Sequence, residues 1–221
     1  MDNFNDAIFL AETFTAVVLG ALQDANVLFT QDGAQGPVRL ASSVIGQEGE
    51  QNGYYRLLLE RIPPESPFLT TVPGAFAFSA LQLFVVPGSC PFPLSEIPLP
   101  IFPTIKTNGG PVALISANDQ ILSFEVDLSG SDKARPFIGG DGSGLWLTYT
   151  TGQQLPFSVP ITNVRWSGET ISFEANFPYE QYVMHGFSHG ALTTSDKFDS
   201  ADAVVDSTIA APAVIQVNNP L

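Results

Sequence analysis

The sequence predicts an α+β protein in which a short N-terminal helical segment packs on a C-terminal antiparallel β-sandwich. Two observations support this prediction. Apolar residues recur at intervals of three and four over residues 6–32 and 38–62, which is the period of amphipathic helices. From about residue 111 apolar and polar residues alternate, and Gly, Pro, Asn, Asp and Ser interrupt them about every ten residues, as in short antiparallel strands.

The helical segment is expected to contain two long helices and one short helix. Asn5 or Asp6 can cap the first helix, and a short turn beginning at Gly33 leads to the second. Because this connection is short, the two helices are predicted to be antiparallel neighbours. The second helix is expected to end at Pro63, since proline cannot continue the hydrogen-bond ladder. The third helix is predicted over residues 75–85.

The change of period divides the chain into three predicted parts. These are the helical segment over 1–89, a proline-rich connector over 90–110 and the β-sandwich over 111–221. The candidate strands are 112–117, 121–128, 144–150, 155–161, 170–176, 181–187, 190–194 and 212–217. A further helical turn over 201–208 is expected to cross between the two sheets.

The charge of the chain excludes one class of partner, and its Phe content favours another. Eight Lys and Arg against 22 Asp and Glu give a formal net charge of −14, which repels phosphate backbones, so nucleic-acid binding is not expected. No apolar run approaches the roughly 20 residues that span a bilayer, so no membrane span is expected. The many Phe residues indicate a deep core or an apolar pocket, and therefore a hydrophobic small molecule as partner.

Three features favour a cytoplasmic location for this chain. It has a single cysteine, Cys90, it shows no signal-peptide pattern at its start, and it contains no Asn-x-Ser/Thr sequon. A secreted protein is the alternative if a signal was removed before residue 1.

One arrangement of acidic residues is typical of two-metal helical bundles, but it lacks the imidazole ligands. Such bundles place a Glu on one helix and a Glu-x-x-His on the next. Here Glu12 lies on the apolar stripe of the first helix, and Gln51 follows Glu48 by three positions. Gly53 follows Glu50 by the same spacing, and neither residue is a good transition-metal ligand. We therefore expect no metal and no cofactor, with these acids either buried beside Gln51 or Arg56 or contacting a ligand.

The run Glu48-Gly-Glu-Gln-Asn-Gly-Tyr-Tyr-Arg56, followed by Pro87-Gly-Ser-Cys-Pro91, resembles the fungal ferritin-like proteins of the stress-response and sexual-development type. The segment Ser207–Val217 resembles the end of the β-rich tail in that family. The resemblance implies a ferritin-like helical part followed by a β-domain. The family's metal ligands do not carry over, because Gln51 or Gly53 stands where its histidine would be.

The two histidines, His185 and His189, lie four residues apart in a predicted strand region. A metal site would need a third ligand, and a hydrogen-bonding or acid–base role for one histidine in a pocket is the alternative. Ser188 lies in a Gly-x-Ser-x-Gly pattern, but its expected strand-to-strand setting differs from that of a nucleophile elbow.

These observations favour cofactor-independent binding of a hydrophobic intermediate and its cyclisation, as by a pericyclase of the hetero-Diels–Alderase type. The resemblance to fungal proteins implies that this reaction would belong to fungal secondary metabolism. Orientation lowers the barrier, and hydrogen bonds to a carbonyl lower it further. The expected catalytic residues are Gln51, Tyr55 and His185, and the expected ligand-binding residues are Glu12, Tyr54, Trp146 and Tyr149. The alternative is a non-catalytic stress, developmental or cell-surface structural protein. A homodimer would complete a four-helix arrangement.

Overall fold

A computed structural model describes residues 3–62 and 68–217 of the chain. Five α-helices are present in this part, and they are numbered in chain order: α1 Phe4–Gln31, α2 Gln35–Leu58, α3 Gly74–Leu81, α4 Tyr179–Tyr182 and α5 Ala201–Ser207. The first three confirm the predicted helical segment, although α3 ends four residues before the predicted boundary. The predicted stop at Pro63 lies outside the described residues.

The two long helices form an antiparallel hairpin, as their short connection predicts. The side chain of Asn3 caps α1 by accepting a hydrogen bond from the Asp6 amide at 2.9 Å. Gly33 follows α1 with φ of +70°, a conformation that favours glycine and turns the chain towards α2. Across the hairpin, the Asn26 amide of α1 donates to the Ser42 hydroxyl of α2 at 3.2 Å.

Eight strands make one sheet. They are β1 Lys106–Thr107, β2 Val112–Ile115, β3 Gln120–Asp127, β4 Trp146–Thr151, β5 Phe157–Ser167, β6 Thr170–Phe177, β7 Gly186–Thr193 and β8 Thr208–Val217. Their order is β1-β3-β6-β5-β4-β7-β8-β2. All pairs are antiparallel except β2 with β8, which run parallel.

The sheet is mixed and curls into a nearly closed, barrel-like arrangement. The segment just before β1 joins β8, because the Ile105 amide donates to the Pro212 carbonyl oxygen at 3.1 Å and the Ala211 amide donates to that of Pro103 at 2.9 Å. The α+β class is therefore confirmed. The predicted two-sheet sandwich is not confirmed, since one continuous order of hydrogen-bonded strands replaces two facing sheets. The ferritin-like packing of the helices is not confirmed either.

One predicted strand is wrong. Residues 181–187 were expected to be extended, but α4 ends at Tyr182 and Val183 adopts a left-handed conformation with φ of +49°. The chain turns there, and a single strand then begins at Gly186 and continues through the predicted strand at 190–194. The predicted helical turn over 201–208 is confirmed as α5.

The strands β7 and β8 are buried along their whole length because both of their faces are covered. Leu192 and Ile215 belong to the cluster that fills the barrel interior. Phe187 and Val214 pack with Ala16 of α1 on the outer face. The helices thus lie against one side of the barrel, and they turn what would be solvent-facing strand positions into a second core layer.

The helix α1 is long and apolar enough to cross a bilayer by length and composition. Core helices of soluble proteins pass the same test, so this finding is weak evidence for a span. In the described structure α1 packs on α2, α3 and the barrel, and it buries the acidic side chains of Glu12 and Asp24.

The helix α1 approaches the chain beneath it closely at Gly20. A Cβ atom there would overlap the carbonyl oxygen of Thr70 and the side chain of Val72. Gly20→Ala is therefore expected to destabilise the protein by about 1–3 kcal/mol, because α1 must move away from residues 70–72.

The matched control is Gly49→Ala in α2, where a Cβ atom meets nothing within 4 Å. This change is expected to stabilise by about 0.5–1 kcal/mol through helix propensity. Urea unfolding followed by circular dichroism measures both. Equal stabilisation by the two alanines would contradict the described packing of α1.

Candidate functional site

A buried polar cluster joins the helices to the barrel, and Glu12 lies at its centre. The Glu12 side chain is fully buried, and its Oε1 lies 3.2 Å from Nη1 of Arg56 in α2. Its Oε2 lies 3.6 Å from Nη1 of Arg61. The side-chain amide of Gln216 in β8 donates to Oε1, and the Gln216 Oε1 accepts from Arg61 at 3.1 Å. One carboxylate therefore connects α1, α2 and β8.

The guanidinium groups of this cluster are also held by neighbouring groups. Arg56 donates from Nε and Nη2 to the carbonyl oxygen of Ile62, at 3.2 and 3.0 Å. The Arg61 guanidinium carbon lies 5.1 Å from the centre of the Phe9 ring, a distance suited to a cation–π contact. Burial raises the pKa of Glu12 above its ordinary value, while the charges of Arg56 and Arg61 oppose that rise. Although Oε2 of Glu12 has an ion-pair contact but no hydrogen bond, this arrangement is that of a structural ion-pair network.

The residues predicted on α2 do not converge with Glu12. Gln51 and Tyr55 are half-buried, and Tyr54 is largely exposed to solvent. Glu12 was predicted to be buried beside Gln51 or Arg56, and Arg56 is the residue with which it forms an ion pair. Sequence reasoning missed Arg61 and Gln216, and the strong apolar run around Gln216 was the only signal that this amide is buried.

The two predicted aromatic residues of β4 lie on opposite faces of the strand. Tyr149 is buried in the barrel interior, where its hydroxyl donates to the carbonyl oxygen of Asn176 at 3.2 Å and burial raises its pKa. Trp146 is half-buried at the start of β4. Neither side chain lines a cavity with Glu12 or Gln51.

Where α1 and α3 pack on β8, side chains fill the space between helices and barrel. A cavity there, lined by Thr13 of α1, Val214 of β8 and Phe84 just after α3, among others, measures about 10 Å³, enough for one water molecule at most. The barrel interior is also closely packed: a Cβ atom on Gly190 would lie 3.2 Å from that of Ala213. A small-molecule site would therefore have to lie elsewhere.

His185 lies at such a place, in a cleft at one end of the barrel that we name the barrel-mouth pocket. The cleft has a volume of about 500 Å³, and its lining residues are Phe68, Thr151, Gly152, Gln153, Gln154, Val183 and His185. Phe68 and Val183 expose 66% and 61% of their surface. An apolar cleft of this size with a few polar groups has the character of a small-molecule site.

The polar side of the barrel-mouth pocket is a hydrogen-bonded pair. The Tyr179 hydroxyl lies 2.8 Å from Nδ1 of His185, and the two rings meet edge to face with centres 5.1 Å apart. Burial raises the pKa of Tyr179, so its phenol stays protonated at neutral pH. The sequence singled out His185 as a site residue and Tyr179 only as one of several aromatic residues, because the pairing of the two depends on α4, which the sequence did not predict.

The backbone beside this pair is strained. Val183 is β-branched and adopts the left-handed conformation, which is rare for such residues. The amide of His185 donates to the Val183 carbonyl oxygen at 2.8 Å, which closes a tight turn. Strained backbone of this kind concentrates at binding and catalytic sites.

His189 lies away from this pocket and is fully buried in β7. Neither of its ring nitrogens, nor the hydroxyl of Thr150 on the neighbouring strand, has a hydrogen-bond partner among the described residues. Burial lowers the pKa of His189 to about 4, so the ring is neutral at neutral pH. Within residues 3–62 and 68–217, no group of three or more His, Cys, Asp or Glu side chains is placed to hold a metal ion.

No protein-family model matches the chain, and no curated protein sequence is significantly similar to it. The resemblance to fungal ferritin-like proteins therefore stays a prediction, as does the homodimer.

Replacing Glu12 tests the polar cluster. Glu12→Leu is expected to lower the free energy of unfolding by about 3–5 kcal/mol, because Arg56 and Arg61 stay at the junction without the carboxylate that offsets their charge. The control is Glu50→Leu at an exposed position of α2, expected to change stability by less than about 0.5 kcal/mol. Equal urea midpoints for the two variants would show that the cluster adds nothing.

Replacing His189 tests its neutral burial. Its folded pKa lies below the ordinary value of 6.5, so its contribution to stability is complete above pH 6.5 and is lost as the pH falls towards 4. The two values correspond to about 3 kcal/mol between pH 7 and pH 4. His189→Leu is expected to remove this part of the acid sensitivity in urea unfolding measured from pH 7 to pH 4. An unchanged pH dependence would mean that the histidine charges freely in the folded protein.

Proposed function

We propose that the protein binds a hydrophobic small molecule in the barrel-mouth pocket and that His185, held by Tyr179, contacts its polar group. The observation that carries the proposal is the Tyr179–His185 pair, placed at the edge of a cleft whose other walls include the exposed side chains of Phe68 and Val183. Exposed apolar side chains around a few convergent polar groups favour a ligand with an apolar body and one hydrogen-bonding end.

The pair is suited to a ligand carbonyl. The Tyr179 hydroxyl lies 2.8 Å from Nδ1 and 3.3 Å from Nε2 of His185. When it donates to Nδ1, the imidazole proton resides on Nε2, and a ligand carbonyl would have to compete with the phenol oxygen to accept it. The amide of Gln154 is anchored by its bond of 2.5 Å to the Tyr182 carbonyl oxygen, and the ring of Tyr182 stacks on Phe157 at 3.5 Å. These contacts make the wall behind the pair rigid, which favours a preorganised site.

A second cleft, of about 600 Å³, lies between the end of α3 and the proline-rich connector. Its lining includes Val85, Phe92 and the thiol of Cys90, together with Gln82. The Gln82 amide already donates to the Phe78 carbonyl oxygen at 2.9 Å. The cleft has no hydrogen-bonded pair comparable to that of the barrel mouth within the described chain, and we therefore assign the ligand to the barrel-mouth pocket.

Cyclisation is the reaction proposed for this pocket. A flexible polyene that carries a carbonyl-activated alkene would be held folded between Phe68 and Val183, which brings its reacting ends together. A hydrogen bond from His185 to the carbonyl would stabilise charge that grows in the transition state. A pericyclic step of this kind makes its bonds within one molecule, with no atom gained or lost and no oxidant or reductant needed.

Binding is tested with Nile red, a neutral apolar dye with one carbonyl group, by fluorescence titration. We expect saturable binding that Phe68→Ser and His185→Ala each weaken about tenfold, a loss of roughly 1.4 kcal/mol. Tyr179→Phe should weaken binding several-fold by freeing the imidazole. Tyr54→Phe, which removes a hydroxyl from an exposed position on α2, is the matched control and should have no effect.

Two results would overturn parts of the proposal. Binding that is absent, or equal in the wild type and in the Phe68, Tyr179 and His185 variants, would remove the pocket as the site and favour the non-catalytic structural alternative. Saturable binding without acceleration of the cyclisation of a tethered, carbonyl-activated triene would leave a binding protein and exclude the tested reaction.

A further inference from the structure

A second pocket adjoins the barrel-mouth pocket along the connection between β4 and β5, and we name it the helix-side pocket. It measures about 380 Å³, and Val27 of α1 and Leu155 belong to its lining but not to that of the barrel-mouth pocket. Gln153 and Gln154 line both pockets, so the two are parts of one groove. The helix-side pocket is therefore within reach of a ligand that occupies the barrel-mouth pocket.

The two glutamines that the pockets share are held in place from opposite sides. The side-chain nitrogen of Gln153 lies 2.8 Å from Oε1 of Gln23 in α1 and 2.7 Å from the carbonyl oxygen of Leu69. The side-chain amide of Gln154 donates to the Tyr182 carbonyl oxygen on the other side. Because both amides already have partners in the protein, they form a fixed floor for the groove, which favours a preorganised site.

Large apolar side chains stay exposed in both pockets. Phe68 and Val183 supply them in the barrel-mouth pocket, and Leu155 and Val27 supply them in the helix-side pocket, where they expose 66% and 51% of their surface. Exposed apolar side chains that cluster along one groove mark a surface that an apolar ligand can cover. The apolar surface continues from one pocket into the next, so a longer ligand buries more of it than a compact one.

The charge of the groove disfavours anionic ligands. The lining of the helix-side pocket includes the exposed side chains of Asp199 and Asp202. No Lys or Arg is present among the described residues that line either pocket. A carboxylate or phosphate on the ligand would therefore meet like charges and find no cationic partner.

We propose that the groove binds one elongated, uncharged molecule, whose carbonyl end lies at His185 and whose apolar chain crosses Gln153 and Gln154 to reach Val27 and Leu155. This inference rests on the proposed function, because it extends the ligand of the same pocket. It adds chain length and charge as the properties that select the ligand. Binding energy from the chain, remote from the reacting atoms, would help to hold the reacting part of the molecule in place.

A series of acylated dimethylaminonaphthalenes tests the groove by fluorescence titration. These probes are uncharged fluorescent ketones that differ only in the acyl chain, and the series runs from propionyl to octanoyl. We expect the affinity to rise about twofold for each added methylene, half the gain of a fully buried one, because the groove is open to solvent. A chain that ends in a carboxylate should bind about fivefold more weakly than the same chain ending in a primary amide.

Replacing Leu155 tests the helix-side pocket separately from the barrel mouth. Leu155→Ser should lower the affinity for the octanoyl probe about fivefold and leave that for the propionyl probe unchanged, because Leu155 lines only the helix-side pocket of the two. His185→Ala should weaken the binding of both probes alike. The matched control is Leu99→Ser, which replaces an exposed leucine of the proline-rich connector outside both pockets and should alter neither affinity.

The possible failures of the two proposals are distinguishable. If the propionyl probe binds and depends on His185, but the affinity does not grow with chain length, the elongated ligand is rejected and the barrel-mouth pocket is kept. Equal effects of Leu155→Ser and Leu99→Ser on the octanoyl probe would reject it in the same way. Equal affinities for the carboxylate and the amide would overturn the selection by charge. Failure of every probe to bind, the propionyl probe included, would reject the proposed function and the elongated ligand with it.

Discussion

The structure depends on one buried carboxylate. Glu12 has no solvent contact, yet it carries a charge that must be offset, and the groups that offset it come from α2, from the segment that follows α2 and from β8. A buried ion pair adds little to stability relative to apolar packing, but removing one partner is costly. The cluster therefore sets the position of the helices on the barrel. It makes other placements of α1 unfavourable, because they would bury Glu12 apart from its partners.

The position of α1 also determines where its C-terminal half lies and how it contacts the segment beside the barrel-mouth pocket. Because Glu12 holds the N-terminal half of α1 against Gln216, the C-terminal half passes over residues 70–72 at Gly20 and brings Asp24 to the start of α3. The same segment after residue 68 forms one wall of the barrel-mouth pocket, where the Thr70 hydroxyl accepts from the Gly152 amide at 2.8 Å. Helix placement and pocket shape are thus linked through a few contacts that are far apart in sequence.

The periodicity of the sequence predicted the helices and most strands, because both depend on local patterns of apolar residues. It did not predict that the strands form one curled sheet, since strand order depends on pairings such as that of Val112 with Val214. It also missed α4, because the left-handed Val183 that ends it has no signature in a β-branched residue. Glu12 and His185 were recognised as notable, but their partners Gln216 and Tyr179 became evident only in three dimensions.

Native-state hydrogen exchange tests most directly the claim that the Glu12 cluster unites helices and barrel. Exchange rates in low urea give the free energy of the opening that exposes each backbone amide. If the claim is correct, the amides of α1 around Glu12 and those of β8 around Gln216 will open together, with the free energy of global unfolding. If α1 and α2 instead open at a much lower free energy while β8 stays protected, the helical layer is a separate unit and the claim is wrong.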